Sequence, residues 1–419
     1  MPSGDGRSTY YVESFQRILA TVVSRYGDLL RPDERAFADD VRALPLGARC
    51  LYVRLVSRQG PYFRRDDLAY PEISDLDQAL GELAARGFVE LDPSAAPAAL
   101  LPHCLRAEIE AIARALGHRT ARRTKAQSVE WLLSNCAACD LGAAVRERVR
   151  LIAPLRLEQV TLHRLLFFGN LRQDWTELVL ADLGVWRYES YPLRRDLRLF
   201  PTRAAIEDAL SIRRLAALAR ERLAAGDADR AFAAALEVAR RDPPWDAGSR
   251  ARADALLLEV ARPLERAGRV EEAIELYGAA AAPPARERRA RLLARVGRER
   301  AALALCREIA SSPRDETERW FAARFEQRLR RGLGQLPPAR RRYRATRPIR
   351  LRPDAERTVE ELALAHFADQ GRGGFHAENW LWLAIYGLAF WDLVFAPVAG
   401  AFQHPFQDRP LDLYEPSFR

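Results

Sequence analysis

The chain has 419 residues, more than one hydrophobic core usually supports, so several domains are expected. Its 48% hydrophobic and 29% charged residues are typical of a folded globular protein and exclude an intrinsically disordered chain. The net charge is +9, and of the 66 basic residues only Lys125 is a lysine. The charge favours polyanionic partners such as nucleic acid. The lysine content excludes every catalytic motif that needs a lysine at another position.

Cysteine content and apolar stretches indicate the compartment. Five cysteines form an odd, sparse set that fits a reducing environment, and the first residues contain no apolar signal segment. The most apolar stretch, 380–398, is nearly long enough to span a bilayer, but Asp392 and Pro397 interrupt it. We therefore predict a cytoplasmic protein without a membrane partner, and we interpret 380–398 as a buried core helix.

The first region, 1–95, alternates helical and extended patterns. Apolar residues from Phe15 to Val23 recur at helical spacing, and a second apolar block follows the turn at Pro45–Gly47. A short extended piece, another helix and a strand after Gly87 complete the region. This order is typical of a winged-helix-like unit. Such units contact DNA in some proteins and protein in others.

Two smaller regions follow. Residues 96–154 contain a helix, a basic turn from His118 to Lys125 and a second helix that ends near Trp131. This arrangement resembles a SAP-type DNA-binding module, although a plain helical hairpin gives the same pattern. Residues 155–201 are apolar and aromatic with strand-like stretches, and we interpret them as a connector.

The region 202–340 is rich in Ala, Leu, Arg and Glu and contains a faint repeat. Each copy has a glycine, an alanine five positions later and then an apolar residue. The glycines are Gly226, Gly268 and Gly297, and the alanines are Ala231, Ala273 and Ala302. A glycine turn followed by a small residue for close helix packing predicts tetratricopeptide-like helical repeats, degenerate because the spacings are 42 and 29. An irregular helical bundle is the alternative.

An arginine-rich joint, RRRYRATRPIRLR, leads into the last region, 341–419. The joint is either a solvated linker or a segment that follows a phosphate backbone. No Walker A, HExxH or GxSxG motif is present, and the Cys136–Cys139 pair lacks a second pair for zinc. Glu378 lies in GRGGFHAENWLW, just before the apolar stretch. Its carboxylate either caps a helix or binds Mg²⁺ or Mn²⁺.

The segments VEELALAHF, GGFHAENWLW and LAFWDLVFAPVAGAFQHPFQ resemble the start of the VRR-type nuclease domain of the Fanconi-associated nuclease family. YYVESFQRIL and LYVRLVSRQGPYFRRDDLAYPEI resemble the same family in the same order, so the resemblance covers essentially the whole chain. It implies a mainly α, multidomain bacterial protein that ends in an α/β nuclease domain. The implied activity is 5′-flap endonuclease and 5′–3′ exonuclease cleavage of branched DNA with Mg²⁺ or Mn²⁺, in interstrand crosslink repair.

The resemblance also implies roles for individual residues. Glu378 matches the family's first metal-binding glutamate, and Tyr10, Arg58 and Tyr70 match positions that contact DNA. These residue types suit the task, because arginine neutralises a phosphate and tyrosine stacks on a base or donates to a phosphate oxygen.

One departure limits the resemblance. The family completes its metal site with Pro-Asp and a later Glu-x-Lys, but Arg123 stands two residues before the only lysine, and Pro353–Asp354 precedes Glu378. We therefore expect 341–419 to be an incomplete nuclease domain that needs a further C-terminal segment. We also expect the 419-residue chain alone to be inactive. The alternative is a non-catalytic adaptor that binds DNA or protein.

Overall fold

The computed structural model describes residues 9–58, 60–118, 123–173, 188–241, 245, 247–337, 348–378, 380–413 and 418. It divides into two compact units. The first comprises Met1–Arg203 and Val398–Asp408, and the second comprises Ala204–Pro397 and Arg409–Arg419. Helices dominate both units, which confirms the predicted mainly α fold. Among the described helices, none is long and apolar enough to cross a bilayer.

The first unit begins with four helices: α1 (Tyr10–Tyr26), α2 (Pro32–Arg42), α3 (Leu46–Ser57) and α4 (Leu76–Ala85). Helix α1 forms where the helical spacing predicted it, and Phe15, Ile18 and Val22 are at most 1% exposed. Helix α2 begins with Pro32, whose fixed φ suits the first helical position. Its Phe37 packs against Tyr52 of α3, with ring centres 6.4 Å apart.

The first unit also contains a three-stranded antiparallel sheet, with strands β1 (Phe63–Arg64), β2 (Val89–Leu91) and β3 (Leu151–Pro154) in the order β1-β3-β2. Both outer strands pair with β3, since Phe63 and Leu91 each lie opposite Ile152. The strand predicted after Gly87 is present. However, the strand it pairs with, β3, lies about 60 residues later in the chain. The sheet of the winged-helix-like unit therefore includes a strand from outside 1–95.

Four further helices lie between β2 and β3: α5 (Pro97–Leu100), α6 (Arg106–Ala115), α7 (Lys125–Asn135) and α8 (Ala138–Arg148). Ile109, Ile112, Leu132, Leu141 and Val145 share one small core. The predicted pair of helices is therefore α6 and α7, and α8 adds a third helix to the same core.

Helix α9 (Leu157–Phe168) follows β3 directly. The prediction of strand-like stretches was wrong here, because the segment LEQVTLHRLLFF is helical and seven of its residues are buried. Its closing apolar run, LLFF, has the length of a buried strand, and an apolar run that short does not distinguish a buried strand from a buried part of a helix. Gly169 ends the helix at φ +70°. Residues 174–187 of the predicted connector lie outside the described residues.

The second unit begins with seven helices: α10 (Arg203–Ala224), α11 (Ala228–Ala239), α12 (Ala247–Arg266), α13 (Val270–Ala279), α14 (Ala285–Arg295), α15 (Glu299–Ser311) and α16 (Glu316–Gly332). Gly226, Gly268 and Gly297 have φ between +76° and +80°. An added Cβ would meet no atom within 4 Å at any of them, so the left-handed turn and not space requires glycine. The alanines Ala231, Ala273 and Ala302 are completely buried. The repeat pattern is therefore confirmed as helix–turn–helix packing.

The last helices of the second unit are α17 (Val359–Ala368), α18 (Trp380–Ala389) and α19 (Trp391–Val394). The prediction of a buried core helix over 380–398 was wrong. No described residue of α18 is buried, and Trp382 and Leu388 are 68% and 76% exposed. Apolar content leads to burial only where other elements pack against the helix, and the contact with the short helix α19 leaves the described side chains of α18 exposed or half-buried. Residues 338–347, which include the first eight residues of the arginine-rich joint, lie outside the described residues.

The chain then returns to the first unit at 398–408. Arg25 of α1 donates hydrogen bonds to the carbonyl oxygens of Gln403 (2.7 Å), Phe402 (3.0 Å) and Leu197 (3.1 Å). His404 stacks on Phe167 of α9 with ring centres 5.1 Å apart. Residues 398–408, predicted as part of the incomplete nuclease domain, therefore pack into the core of the N-terminal unit. We call them the return segment.

Candidate nucleic-acid interface

A cluster of charged and aromatic side chains joins α1, α3 and the loop before α4. Arg54 of α3 lies with its Cζ 4.1 Å from the centre of the Tyr11 ring and 5.4 Å from that of Tyr70. Its Nε and Nη2 donate to Glu72 Oε1 at 3.0 and 2.7 Å, and the Tyr11 hydroxyl donates to the same oxygen at 2.7 Å. Arg54 is thus held between two tyrosine rings by a carboxylate that is nearly inaccessible to solvent.

The charge state of this cluster follows from its contacts. Burial alone would raise the pKa of the Glu72 carboxyl, but hydrogen bonds from its own backbone N–H, Tyr11 and Arg54 outweigh burial, so the pKa lies below its usual value. Burial, and then the hydrogen bond to Glu72, raise the pKa of Tyr11. At neutral pH Glu72 is therefore charged and Tyr11 is a neutral donor. The cluster is a fixed ion pair rather than a proton-transfer site.

The three residues for which the resemblance implies DNA contact lie at this cluster. Arg58, at the C-terminal end of α3, donates from Nη1 to the Tyr70 hydroxyl at 3.3 Å, and its Cζ is 5.2 Å from the Phe63 ring centre. Tyr10 is 41% exposed and contacts Tyr11 edge to face at 6.0 Å. The structure therefore brings Arg58 and Tyr70 into direct contact. Tyr10 contacts Tyr11, and the ring of Tyr11 contacts Arg54.

Arg58 and Arg54 differ in what remains free to bind a ligand. Within the described part of the chain, no carboxylate lies at ion-pair distance from Arg58, which is exposed. Arg54, in contrast, is neutralised by Glu72. An exposed guanidinium beside a tyrosine hydroxyl offers a charged donor and a neutral donor, a combination suited to phosphate oxygens.

Sequence reasoning missed Arg54, Tyr11 and Glu72. Arg54 stands four residues before Arg58, which directly follows the end of α3, and Tyr11 adjoins Tyr10, so both could have been found from spacing. No local pattern marked Glu72, since its partners lie 18 and 61 residues away.

The basic turn predicted as SAP-like is described only at its ends. Arg123 has its Cζ 4.9 Å from the Trp131 ring centre, and His118 meets the same ring edge to face at 5.0 Å. Lys125 Nζ donates to the Pro102 carbonyl at 2.7 Å. Residues 119–122 lie outside the described residues. The only lysine is thus used in an internal hydrogen bond.

Glu378 lies in a turn before α18, exposed and at φ +42°. Among the described residues, no group of three or more His, Cys, Asp or Glu side chains could hold a metal ion. One exposed carboxylate provides too few oxygens to replace the water of Mg²⁺. The described residues therefore do not by themselves supply the full ligand set of such an ion.

Comparisons with known proteins agree with this architecture. Residues 9–90 match the family model described as FAN1, HTH domain, which covers α1 to β2. A Fanconi-associated nuclease 1 homolog of Pseudomonas aeruginosa is 34% identical over 98% of this chain and 73% of its own length. A homolog of Arabidopsis thaliana is 27% identical over 98% of this chain and 52% of its own length, so the chain spans about half of that relative.

Solved structures give the same result. A crystal structure of paFAN1 bound to DNA with a two-nucleotide 5′ flap and a gap matches with a TM-score of 0.80 and 32% identity, covering 100% of this chain and 76% of that one. A second structure, with a one-nucleotide flap, matches with a TM-score of 0.77 and 31% identity, covering 98% and 76%. With matching sequence and fold over nearly its whole length, the chain belongs to the Fanconi-associated nuclease 1 family.

Proposed function

We propose that this protein is a structure-specific DNA nuclease component that binds branched and 5′-flapped DNA, acting in interstrand crosslink repair in the cytoplasm. The observation that carries the proposal is the match, over the whole of this chain and 76% of the other, to a relative crystallised with 5′-flap DNA. The net charge of +9 and the exposed pair of Arg58 and Tyr70 support it.

In this proposal the first unit holds the DNA at the Arg54 cluster. Arg58 neutralises one phosphate, Tyr70 donates to a phosphate oxygen, and Tyr10 packs against a sugar or base. Arg54 does not contact DNA itself. It positions Tyr70 through its ring contact, and Glu72 holds Arg54 in place.

The binding test uses a fluorescent 5′-flap duplex and anisotropy over a salt series. Changing Arg58 to Ala should reduce the slope of log K against log salt by about 0.9, the value for one phosphate on duplex DNA. The double variant Arg58→Ala/Tyr70→Ala should bind at least tenfold more weakly and keep its melting temperature. Arg42→Ala is the matched control, since that arginine is exposed on the same unit and pairs with Asp39. Binding by the double variant equal to that of this control would refute the proposed interface.

Catalysis is proposed to need more than these 419 residues. The family resemblance assigns Glu378 to a Mg²⁺ or Mn²⁺ site that Pro-Asp and Glu-x-Lys complete, and this chain contains no Glu-x-Lys. Metal-assisted phosphodiester hydrolysis needs several carboxylates around the scissile phosphate. The chain alone should therefore bind flap DNA without cutting it.

The catalytic test supplies a segment that carries the family's Pro-Asp and Glu-x-Lys, either fused or as a second chain. Cleavage of the 5′ flap should then appear with Mg²⁺ or Mn²⁺, and Glu378→Ala should abolish it. Asp354→Ala serves as a control, because this exposed carboxylate precedes Glu378 and has no role in the proposal. Metal-dependent cutting by the 419-residue chain alone, unaffected by Glu378→Ala, would show that another site carries the activity.

A further inference from the structure

The second unit carries a groove that the proposed DNA interface of the first unit does not use. It lies between α14 and α16 and has a volume of about 450 Å³. Arg291 of α14 lines one side, and Trp320, Phe321, Arg324, Phe325 and Arg328 of α16 line the other side and the floor. We call it the α16 groove. Its size is within the range of sites that take a small ligand or one part of a polymer.

The floor of the groove is aromatic. Phe321 and Phe325 stack on each other with ring centres 5.0 Å apart and planes 21° apart, and both are largely buried. Trp320 differs, because it is 58% exposed although it lies on the same helix. An indole that is more than half exposed offers ring surface to solvent beside the Arg324 guanidinium, and every nucleobase can stack on such a surface.

The sides of the groove are cationic. The guanidinium carbon of Arg291 lies 5.0 Å from the Phe321 ring centre, that of Arg328 lies 4.6 Å from Phe325, and that of Arg324 lies 5.7 Å from Trp320. In the described part of the chain no carboxylate is within ion-pair distance of Arg324 or Arg328. Other arginines that line a pocket or helix face here, such as Arg291 and Arg330, do pair with acids.

Acidic residues of α16 form ion pairs with arginines other than Arg324 and Arg328. Glu318 pairs with Arg286, and Glu326 pairs with Arg330 at 2.6 Å and Arg307 at 3.5 Å. The one acid that lines the groove, Glu287, pairs with Arg291 at 2.6 Å. The groove therefore has an uncompensated positive charge from two arginines that stand one helical turn apart on the same face, about 6 Å along the axis.

We propose that the α16 groove binds single-stranded DNA, with a base stacked on Trp320 and neighbouring phosphates bound by Arg324 and Arg328. Exposed aromatic rings interleaved with free guanidinium groups are the combination by which proteins hold single strands without reading their sequence. The strand would be the displaced flap of a branched substrate, and this identification of its source rests on the proposed function. The binding of a free single strand in the groove does not depend on the proposed function.

The test measures anisotropy of a labelled 15-nucleotide oligo-dT with the full 419-residue chain. Arg324→Ala/Arg328→Ala should weaken binding at least tenfold and reduce the slope of log K against log salt by about 1.4, since single strands give about 0.7 per phosphate. The control is Arg295→Ala/Arg300→Ala. It removes the same charge from exposed positions of α14 and α15 that do not line the groove. Trp320→Ala should weaken binding about tenfold, and Trp320→Phe should restore most of it.

The outcomes separate this inference from the proposed function. Arg58→Ala/Tyr70→Ala should leave oligo-dT binding unchanged, and the groove variants should leave binding to a blunt duplex unchanged. Loss of oligo-dT binding in the groove variants alone supports the inference even if the first-unit interface fails its own test. The inference is overturned if the parent chain does not bind oligo-dT, or if the control and groove variants bind equally. A drop in melting temperature without a change in binding would assign the arginines to covering the aromatic floor.

Discussion

The hydrogen bonds of Arg25 provide the strongest test of how the first unit is held together. Arg25 is 4% exposed, and its guanidinium donates to three backbone carbonyls, two of them in the return segment. Burial lowers the pKa of this arginine, and the positive charge of Arg198 lowers it further. In the described part of the chain no carboxylate pairs with it. The three carbonyls therefore provide the compensation for a buried cation.

We expect Arg25→Met to destabilise the first unit by about 3 kcal/mol. Each hydrogen bond from a charged donor stabilises the fold by about 1.5 kcal/mol or more. The loss of three such bonds is partly offset, because the variant no longer has to bury a charge. The loss should be local, because the Met side chain can still fill the space of the arginine stem. The Leu197 carbonyl also keeps its hydrogen bond from the Gly400 amide at 3.0 Å.

Hydrogen exchange followed by mass spectrometry measures this directly. Amides of the return segment should exchange about 100-fold faster in Arg25→Met, because each 1.4 kcal/mol is a factor of ten. Arg114→Met is the control. Arg114 is an exposed residue of α6, where a substitution should change stability by less than about 0.5 kcal/mol. Equal protection of the return segment in both variants would refute the view that Arg25 holds it.

Three further predictions concern stability. Gly268→Ala should destabilise the second unit by about 1 kcal/mol because φ is +80°, whereas Gly47→Ala, in the first turn of α3 with open space around it, should be neutral or stabilising in thermal melts. Burial against Phe167 and Phe168, and then the charge of Arg25, lower the pKa of His404 to about 4, so the parent chain should lose stability as pH falls from 6.5 towards 4. His404→Phe should lose less over that range in urea titrations, and an unchanged pH dependence would contradict this. Glu72→Gln should destabilise the first unit by about 1–3 kcal/mol at pH 7, and the difference from the parent should shrink as pH falls from 4.5, the ordinary glutamate pKa, through the lower pKa of Glu72 in the folded protein; a constant difference would refute the ion pair.

Much of the architecture could be predicted from the sequence because it depends on local periodicity. The helix spacing in α1 and the Gly-to-Ala pattern of the repeats are set within a few residues, by which face is buried and by where φ must be positive. Tyr10, Arg58 and Tyr70 are predicted to contact DNA only because the sequence resembles a family. That resemblance could not say that Arg58 contacts Tyr70.

Tertiary structure decided the features that join distant segments. The middle strand of the sheet, the Glu72 carboxylate beneath Arg54 and the return of 398–408 to α1 all depend on contacts between residues 18 to 378 positions apart. No pattern within one element encodes such a partner. The same reasoning explains the errors at α9 and α18. Apolar composition indicates that burial of a segment would be favourable. Only the packing of other elements determines whether the segment is a helix buried in a core or a helix exposed on a surface.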